Sequence, residues 1–206
     1  MSYNRLCTML FTNDYTHEFD WRQTALRVGF IRPEARHKIS QGIAFMSRET
    51  IRHRFFGIKN GFTERELKHL TEIDGLHHFA LGVEEVNAPE RGIAVMRLVR
   101  DDEVPNEAEV ALLIIDEYQK AGLGTLLMKL CLLAASERGI DTLRFTYLPD
   151  NTAIVRLVKR FGEAIPQQLA SDYVQMKIKL EKSHVEKVFS ELKEFFASAT
   201  NAPHGP

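Results

Sequence analysis

Apolar and polar residues alternate in two different rhythms along the 206 residues, with little rhythm at the start. Residues 1–25 are mixed and poorly periodic and are read as an N-terminal extension. "LRVGFI" (Leu26–Ile31) then reads as a short strand, halted by Pro33. From Glu34 to about Leu76 the composition is helical. In "SRETIRHRFFG" Ser47 is placed as an N-cap and Gly57 as the stop. In "TERELKHLTEI" Thr63 caps, Glu66 three residues later completes a capping box, and Leu67, Leu70 and Ile73 form one apolar stripe.

Strand patterns follow. "HHFALGVEEV" (His77–Val86) and "GIAVMRLVR" (Gly92–Arg100) are joined by "NAPERG", which has turn chemistry. "EVALLIID" (Glu109–Asp116) is a continuous apolar run, the mark of a central strand covered on both faces. A leucine-rich helix spans Gly122–Arg138 and is closed by Gly139. "DTLRFTYL" (Asp141–Leu148) is the next strand, ended by Pro149. Asn151 caps the helix "TAIVRLVKRF", which stops at Gly162. A short strand is placed around Ala164–Leu169 and a last one at Ser171–Leu180. The predicted fold is a mixed α/β one, a largely antiparallel central sheet flanked by helices, without the strict βαβ alternation of a doubly wound sheet. Beyond it, Val185, Val188, Phe189, Leu192, Phe195 and Phe196 share one face of an amphipathic helix. That face packs on its own domain or forms a dimer seam, so the chain is a monomer or a homodimer. "TNAPHGP" after it is expected to be loose.

Composition narrows the function classes. Hydrophobic residues make up 44% and charged residues 27%, enough for a buried core, and the net charge of −1 gives no global field for nucleic acid. The two cysteines, Cys7 and Cys131, form no disulfide framework, and Cys131 sits in an apolar helical run. With no signal-like start and no run approaching roughly 18 apolar residues, a cytoplasmic protein without a membrane span is expected. His77 and His78 are neighbours on a strand and point to opposite faces, so no metal site is expected.

The chemistry is concentrated in "DEYQKAGLGTLLMKL" (Asp116–Leu130). Two glycines, Gly122 and Gly124, head a helix in which each costs about 1 kcal/mol against alanine. A strand that enters a helix through glycines offers unpartnered N–H groups and the positive end of the helix dipole to an anion. A dinucleotide fingerprint needs glycine where Leu127 stands, and the Gly-Lys-Ser/Thr of a P-loop is absent. What stands here is Q-x-x-G-x-G: Gln119, Lys120, Ala121, Gly122, Leu123, Gly124. On these residues alone, a phosphate site and a plain strand-to-helix turn both remain open.

From Glu109 to Gly162 the chain resembles the acetyl-CoA-binding core of the GNAT superfamily of N-acetyltransferases. The turn, the flanking strands and "PDNTAIVRLVKRFGE" follow in that family's order. "SRETIRHRFFG" and "AEVALLI" resemble the GNAT domain of bacterial protein lysine acetyltransferases. Those enzymes often carry a further large domain, for which this chain has no room. The resemblance implies a GNAT-like domain over 26–181, with 182–206 an added helix and tail. It implies acetyl-CoA as cosubstrate, pyrophosphate held by backbone N–H groups from Lys120 to Thr125, and pantetheine beside Leu113, Ile114 and Ile115. Asn151 would lie near the thiol end, and it also fits a helix N-cap. The acceptor is an amine, a protein lysine in the first place. A small amine or antibiotic is the alternative, and so is a non-catalytic acyl-CoA sensor.

Amine acylation needs a neutral nucleophile, and a lysine with pKa near 10.4 is neutral only about once in 10³ at pH 7. Glu109 is the candidate general base. It opens an apolar strand, where burial would raise its pKa, and it matches the catalytic glutamate of the lysine acetyltransferase group. A solvent-facing strand end is the plain alternative, and Glu107 and Asp116 are weaker candidates. Many family members place a tyrosine acid where Val158 stands, which leaves Tyr147, Tyr173 or water to protonate the thiolate, or no acid at all, since a thiol with pKa near 8.5 leaves fairly easily. Arg52, His53 and Arg54 form either a solvated helix face or part of the acceptor cleft.

Overall fold

The computed structural model describes residues 10–170 and 172–199. Cys7, the start of the last predicted strand at Ser171 and the tail Thr200–Pro206 lie outside the described residues. Eight strands form one sheet in the order β1-β2-β3-β4-β5-β6-β8-β7. They are β1 (Thr16–Trp21), β2 (Thr24–Phe30), β3 (His78–Glu85), β4 (Gly92–Arg100), β5 (Glu107–Ile114), β6 (Thr142–Tyr147), β7 (Gln167–Gln168) and β8 (Val174–Lys179). Every pairing is antiparallel except β5 with β6.

One correction concerns the start of the sheet. Residues 16–21 fall in the stretch read as an extension, yet they pair along their whole length with β2, from Thr16↔Gly29 to Trp21↔Thr24. The two-residue turn between them, Arg22 and Gln23, has positive φ at both positions (49° and 71°). That is the backbone of a type I′ hairpin, made without the Asn-Gly or Asp-Gly that normally announces one. The strand is also the sheet's edge and buries only Phe19 completely, so its alternation is faint.

The helical segment resolves into α1 (Arg36–Gly42), α2 (Arg48–Phe55) and α3 (Glu64–Thr71). Ser47 accepts the N–H of Thr50, and Thr63 with Glu66 makes the reciprocal capping box. α2 ends at Phe55, two residues before the predicted glycine, with Phe56 in the left-handed region (φ 60°). α4 (Leu123–Glu137) crosses between β5 and β6 and is apolar almost all round. Ten of its residues are buried, from Leu123 to Ala135, because it lies between the sheet and the last helix. α5 (Thr152–Val158) starts on Asn151, whose Oδ1 accepts the Ile154 N–H at 3.3 Å.

α6 (Lys182–Ala199) covers α4 and reaches β1. Val188 and Leu192 are buried, and Phe195 meets Phe19 and Trp21 edge-on. Lys129 on α4 pairs with Glu191 on α6 at 2.7 Å. The phenylalanine stripe therefore packs on its own chain.

Candidate functional site

β5 and β6 run parallel but stay together only at their starts, through Glu107↔Thr142, Ala108↔Leu143 and Glu109↔Arg144. Beyond that, β5 continues paired with β4 alone, and β6 continues paired with β8. The edge of β5 from Val110 to Ile114 is left without a strand on its β6 side. Its backbone groups are open to an extended, amide-bearing chain, the kind of ligand that pairs with a strand edge. Leu112 and Ile114 pack towards the core, while Leu113 faces the opposite side beside Val95. Ile115 is buried, and its N–H donates to Ile93 O at 2.9 Å, on the β4 side.

The glycine turn stands at the mouth of this opening. Lys120 (φ 55°) and Gly122 (φ 92°) are both left-handed. The N–H groups of Thr125 and Leu126 return to Gly122 O. Between Gln119 and Thr125, five consecutive backbone N–H groups, those of Lys120, Ala121, Gly122, Leu123 and Gly124, have no protein acceptor among the described residues. Five free donors at the positive end of a 15-residue helix make a nest of the size and sign of a phosphate. This observation lets the residues present fit a pyrophosphate.

The two glycines are there for different reasons. Gly122 holds a backbone conformation that L-residues resist, and the Trp21 ring lies 3.6 Å from where its Cβ would stand. Gly124 has an ordinary backbone, but a Cβ there would touch Leu157 at 3.4 Å and Ile114 at 3.5 Å. Gln119 braces the turn, its Nε2 donating to Ile114 O (2.9 Å) and Thr50 Oγ1 (3.0 Å). Arg160, which sequence reasoning missed, donates to Thr125 Oγ1 at 3.2 Å and brings a cation to the nest. It stands 36 positions beyond Gly124, and only folding brings the two together.

α2 lies over the same opening. Asp116 accepts from Ser47 N–H (2.8 Å) and Thr50 Oγ1 (3.1 Å), anchoring one end of the helix, and Asp150 pairs with Arg52 and with His53 (3.4 Å). Burial pushes the Asp116 carboxyl up, but the hydrogen bonds from Ser47 and Thr50 outweigh it and hold the group below its ordinary value. Asp116 is thus a helix anchor, and Glu107 is tied to Lys177 at 2.8 Å.

Glu109 needs a correction of premise. It is the third residue of β5 and not its opening, and its side chain is 43% exposed, so the expected burial is absent. The parallel register sets Arg144 beside it, Nη2 to Oε2 at 3.6 Å. An accessible carboxylate at the foot of the opening can still receive a proton. Tyr147 is buried and its hydroxyl pKa is raised by that burial, which keeps it a donor. Tyr173 packs edge-on against Phe56, and Val158 is wholly buried. The Cys131 thiol is pushed up by complete burial and is core.

A cavity of about 870 Å³ lies elsewhere, between α1 and the β1–β4 part of the sheet. It meets the predicted residues only at Leu113 and Ile115. No helix among the described residues is long and apolar enough to cross a membrane.

Comparison with known proteins agrees with this architecture. The family described as "Acetyltransferase (GNAT) domain" matches residues 19–163. Acetyltransferase Pat of Mycolicibacterium smegmatis is 33% identical over 116 residues, 56% of this chain. The match spans only 34% of that relative's length. The GNAT domain of S. lividans PAT superimposes with a TM-score of 0.72 at 22% identity, covering 80% of this chain and 97% of that one. YncA, a putative acetyltransferase from Salmonella typhimurium solved with its cofactor acetyl-CoA, gives 0.59 at 16% identity, over 76% and 95%. A strand, a glycine turn with five free N–H groups, a buried helix and a splayed parallel pair thus stand in a chain matched along most of its sheet, and the chain belongs to the GNAT acetyltransferase family.

Proposed function

We propose that the chain is an N-acetyltransferase that acetylates an amine with acetyl-CoA in a ternary complex, a protein lysine being the acceptor class. The observation that carries the reading is the five-donor nest at the mouth of the β5–β6 opening. The lysine acceptor rests on the similarity to Pat and on the sequence resemblance.

In this reading the N–H groups of Lys120 to Gly124 hold the pyrophosphate, with the Lys120 and Arg160 side chains adding positive charge. The Thr125 N–H, assigned to the same role from sequence, is already bonded to Gly122 O, and Thr125 contributes by holding Arg160. The free edge of β5 up to Leu113 aligns the pantetheine arm. Ile114 and Ile115 shape its wall, since the Ile114 carbonyl is engaged by Gln119. Acetyl-CoA supplies an activated acetyl thioester. Glu109 accepts a proton from the ammonium of the acceptor, the freed nitrogen attacks the acetyl carbon, the carbon–sulfur bond breaks with its electron pair leaving on sulfur, and the second proton lost by the nitrogen passes to that thiolate through water or the Tyr147 hydroxyl. Asn151 sits at the β6–α5 junction, where its observed work is capping α5.

Mass spectrometry of the protein incubated with acetyl-CoA and a panel of lysine peptides and small amines tests the reading. Acetylated acceptor is expected. Tight acetyl-CoA binding with no acetylated product in the whole panel would favour the sensor.

A further inference from the structure

Two arginines on the Glu109 side of the site have no carboxylate within ion-pair distance among the described residues. Arg97 on β4 faces Ala111, and the next pair on the same face of the sheet is Val99↔Glu109. Its side chain is almost wholly enclosed, 4% exposed. Its guanidinium makes one hydrogen bond, from Nη1 to His78 Nε2 at 3.1 Å. His78 supplies no negative charge; burial, Arg97 and His69 push its pKa down to about 4. Arg54 reaches in from α2, half-buried, and its contact is with the ring of Phe55. Burial first, and then Arg54, push Arg97 down to about 9. Glu109 offsets part of the same burial effect on Arg54.

No carboxylate lies within ion-pair distance of Arg97 or Arg54 among the described residues. Elsewhere in the fold, other arginines have a carboxylate or carbonyl partner within reach. Arg27 pairs with Glu18 and Glu84, Arg91 with Glu85, Arg144 with Asp101, and Arg138 donates to three carbonyl groups. An enclosed guanidinium left without an anion is expensive, and the fork of donors it carries matches a carboxylate.

We infer that Arg97 and Arg54 bind a carboxylate carried by the acceptor, close to the amine that Glu109 deprotonates. The inference rests on the proposed function and deepens it. The acceptor is an amine with an acidic group within reach, either the side chain of an acidic residue beside a lysine or the α-carboxylate of a small amino acid. Arg97 sets the preference from the sheet, and Arg54 completes the site from the helix that lies over it.

The test uses two acceptor pairs, each differing in one carboxylate. One is a lysine peptide with Glu or Gln beside the lysine. The other is free lysine and cadaverine. In the wild-type chain kcat/KM should favour the acidic member by about ten- to hundredfold, the range of a charge-assisted hydrogen bond. Arg97→Met should bring the ratio close to one, and Arg54→Gln should reduce it. Should Arg97→Met fail to fold, Arg54→Gln carries the same comparison. A preference in the peptide pair identifies the side-chain carboxylate as the source, and one confined to lysine over cadaverine identifies the α-carboxylate. A wild-type ratio near one overturns the inference. So does a preference for succinyl-CoA over acetyl-CoA that Arg97→Met abolishes, because the anion would then come from the donor. A glutarate titration followed by melting temperature separates the two levels of the account. Stabilisation of the wild type and not of Arg97→Met supports the site even without turnover, and no stabilisation together with no acidic preference removes it. Absence of turnover on every acceptor overturns the transferase reading by itself.

Discussion

Gly122 and Gly124 look alike in the sequence but do different things. Gly122→Ala forces an L-residue into φ 92° and brings a methyl group against Trp21, a cost of roughly 1–2 kcal/mol. Gly124→Ala finds ordinary contacts, whereas Gly124→Val crowds Leu157 and Ile114 at the edge of the opening. Calorimetry with CoA should show affinity lowered by tenfold or more in Gly122→Ala and Gly124→Val, and nearly unchanged in Gly124→Ala. Equal affinity in all three would mean the turn is only structural. Glu109→Gln should lower kcat by about 10²-fold or more and leave CoA affinity nearly unchanged, since in the proposed reading backbone groups hold the cofactor. A variant that keeps most of its kcat at pH 7 would assign the base elsewhere. His78 adds a pH dependence. Its pKa is about 4 when folded against about 6.5 when unfolded, so the unfolded chain binds more protons between those values. Stability should therefore fall as pH drops from about 6.5 towards 4, by at most about 3 kcal/mol before solvent screening. Denaturant melts of His78→Gln should show a shallower slope in that window. The glycine turn was legible because all its residues are contiguous. Arg160 and Arg97 were not, because they meet the site from other elements, and Arg54 was legible only as one of two readings of its helix face. The burial expected of Glu109 is absent, because an apolar strand pattern does not report which of its positions face solvent, here beside Arg144.

At the scale of elements, hydrophobic rhythm and capping residues located β2 to β6, β8 and α2 to α6 to within a few residues, while α1 was read only as part of a helical segment. It failed at β1, where the turn residues Arg22 and Gln23 give no hairpin signal. It also left the destination of α6 open, because an amphipathic stripe does not say what covers it. The fold answers with an aromatic chain: Phe195 meets Trp21, and Trp21 lies under Gly122. Trp21 is the chain's one tryptophan, and its Nε1 is buried with no acceptor among the described residues. Its emission should therefore change when CoA fills the nest, and Trp21→Phe should abolish the signal. An unchanged spectrum at saturating CoA would separate the cluster from the cofactor turn. Cutting the chain after Leu180 removes Val188 and Leu192 from the core and uncovers Phe19 and Trp21. With about 1.5–3 kcal/mol for each fully buried apolar side chain, the truncated protein should melt well below the intact one. If it melts at the same temperature but sediments as a monomer where the intact chain is a dimer, α6 serves association.

At the scale of the whole molecule, one device organises everything described. A parallel pair that parts after three residues, with α4 beginning at its mouth, opens a gap in an otherwise continuous sheet. The central claim is that this opening and its nest receive acetyl-CoA. The direct measurement is the melting temperature of the intact chain with and without acetyl-CoA. At 100 times Kd, a ligand that binds only the folded state stabilises it by about 2.7 kcal/mol, which for a chain of this size raises Tm by roughly 5–11 °C. A rise of that order, reproduced by CoA, is the predicted result. No rise at saturating acetyl-CoA or CoA would contradict the account.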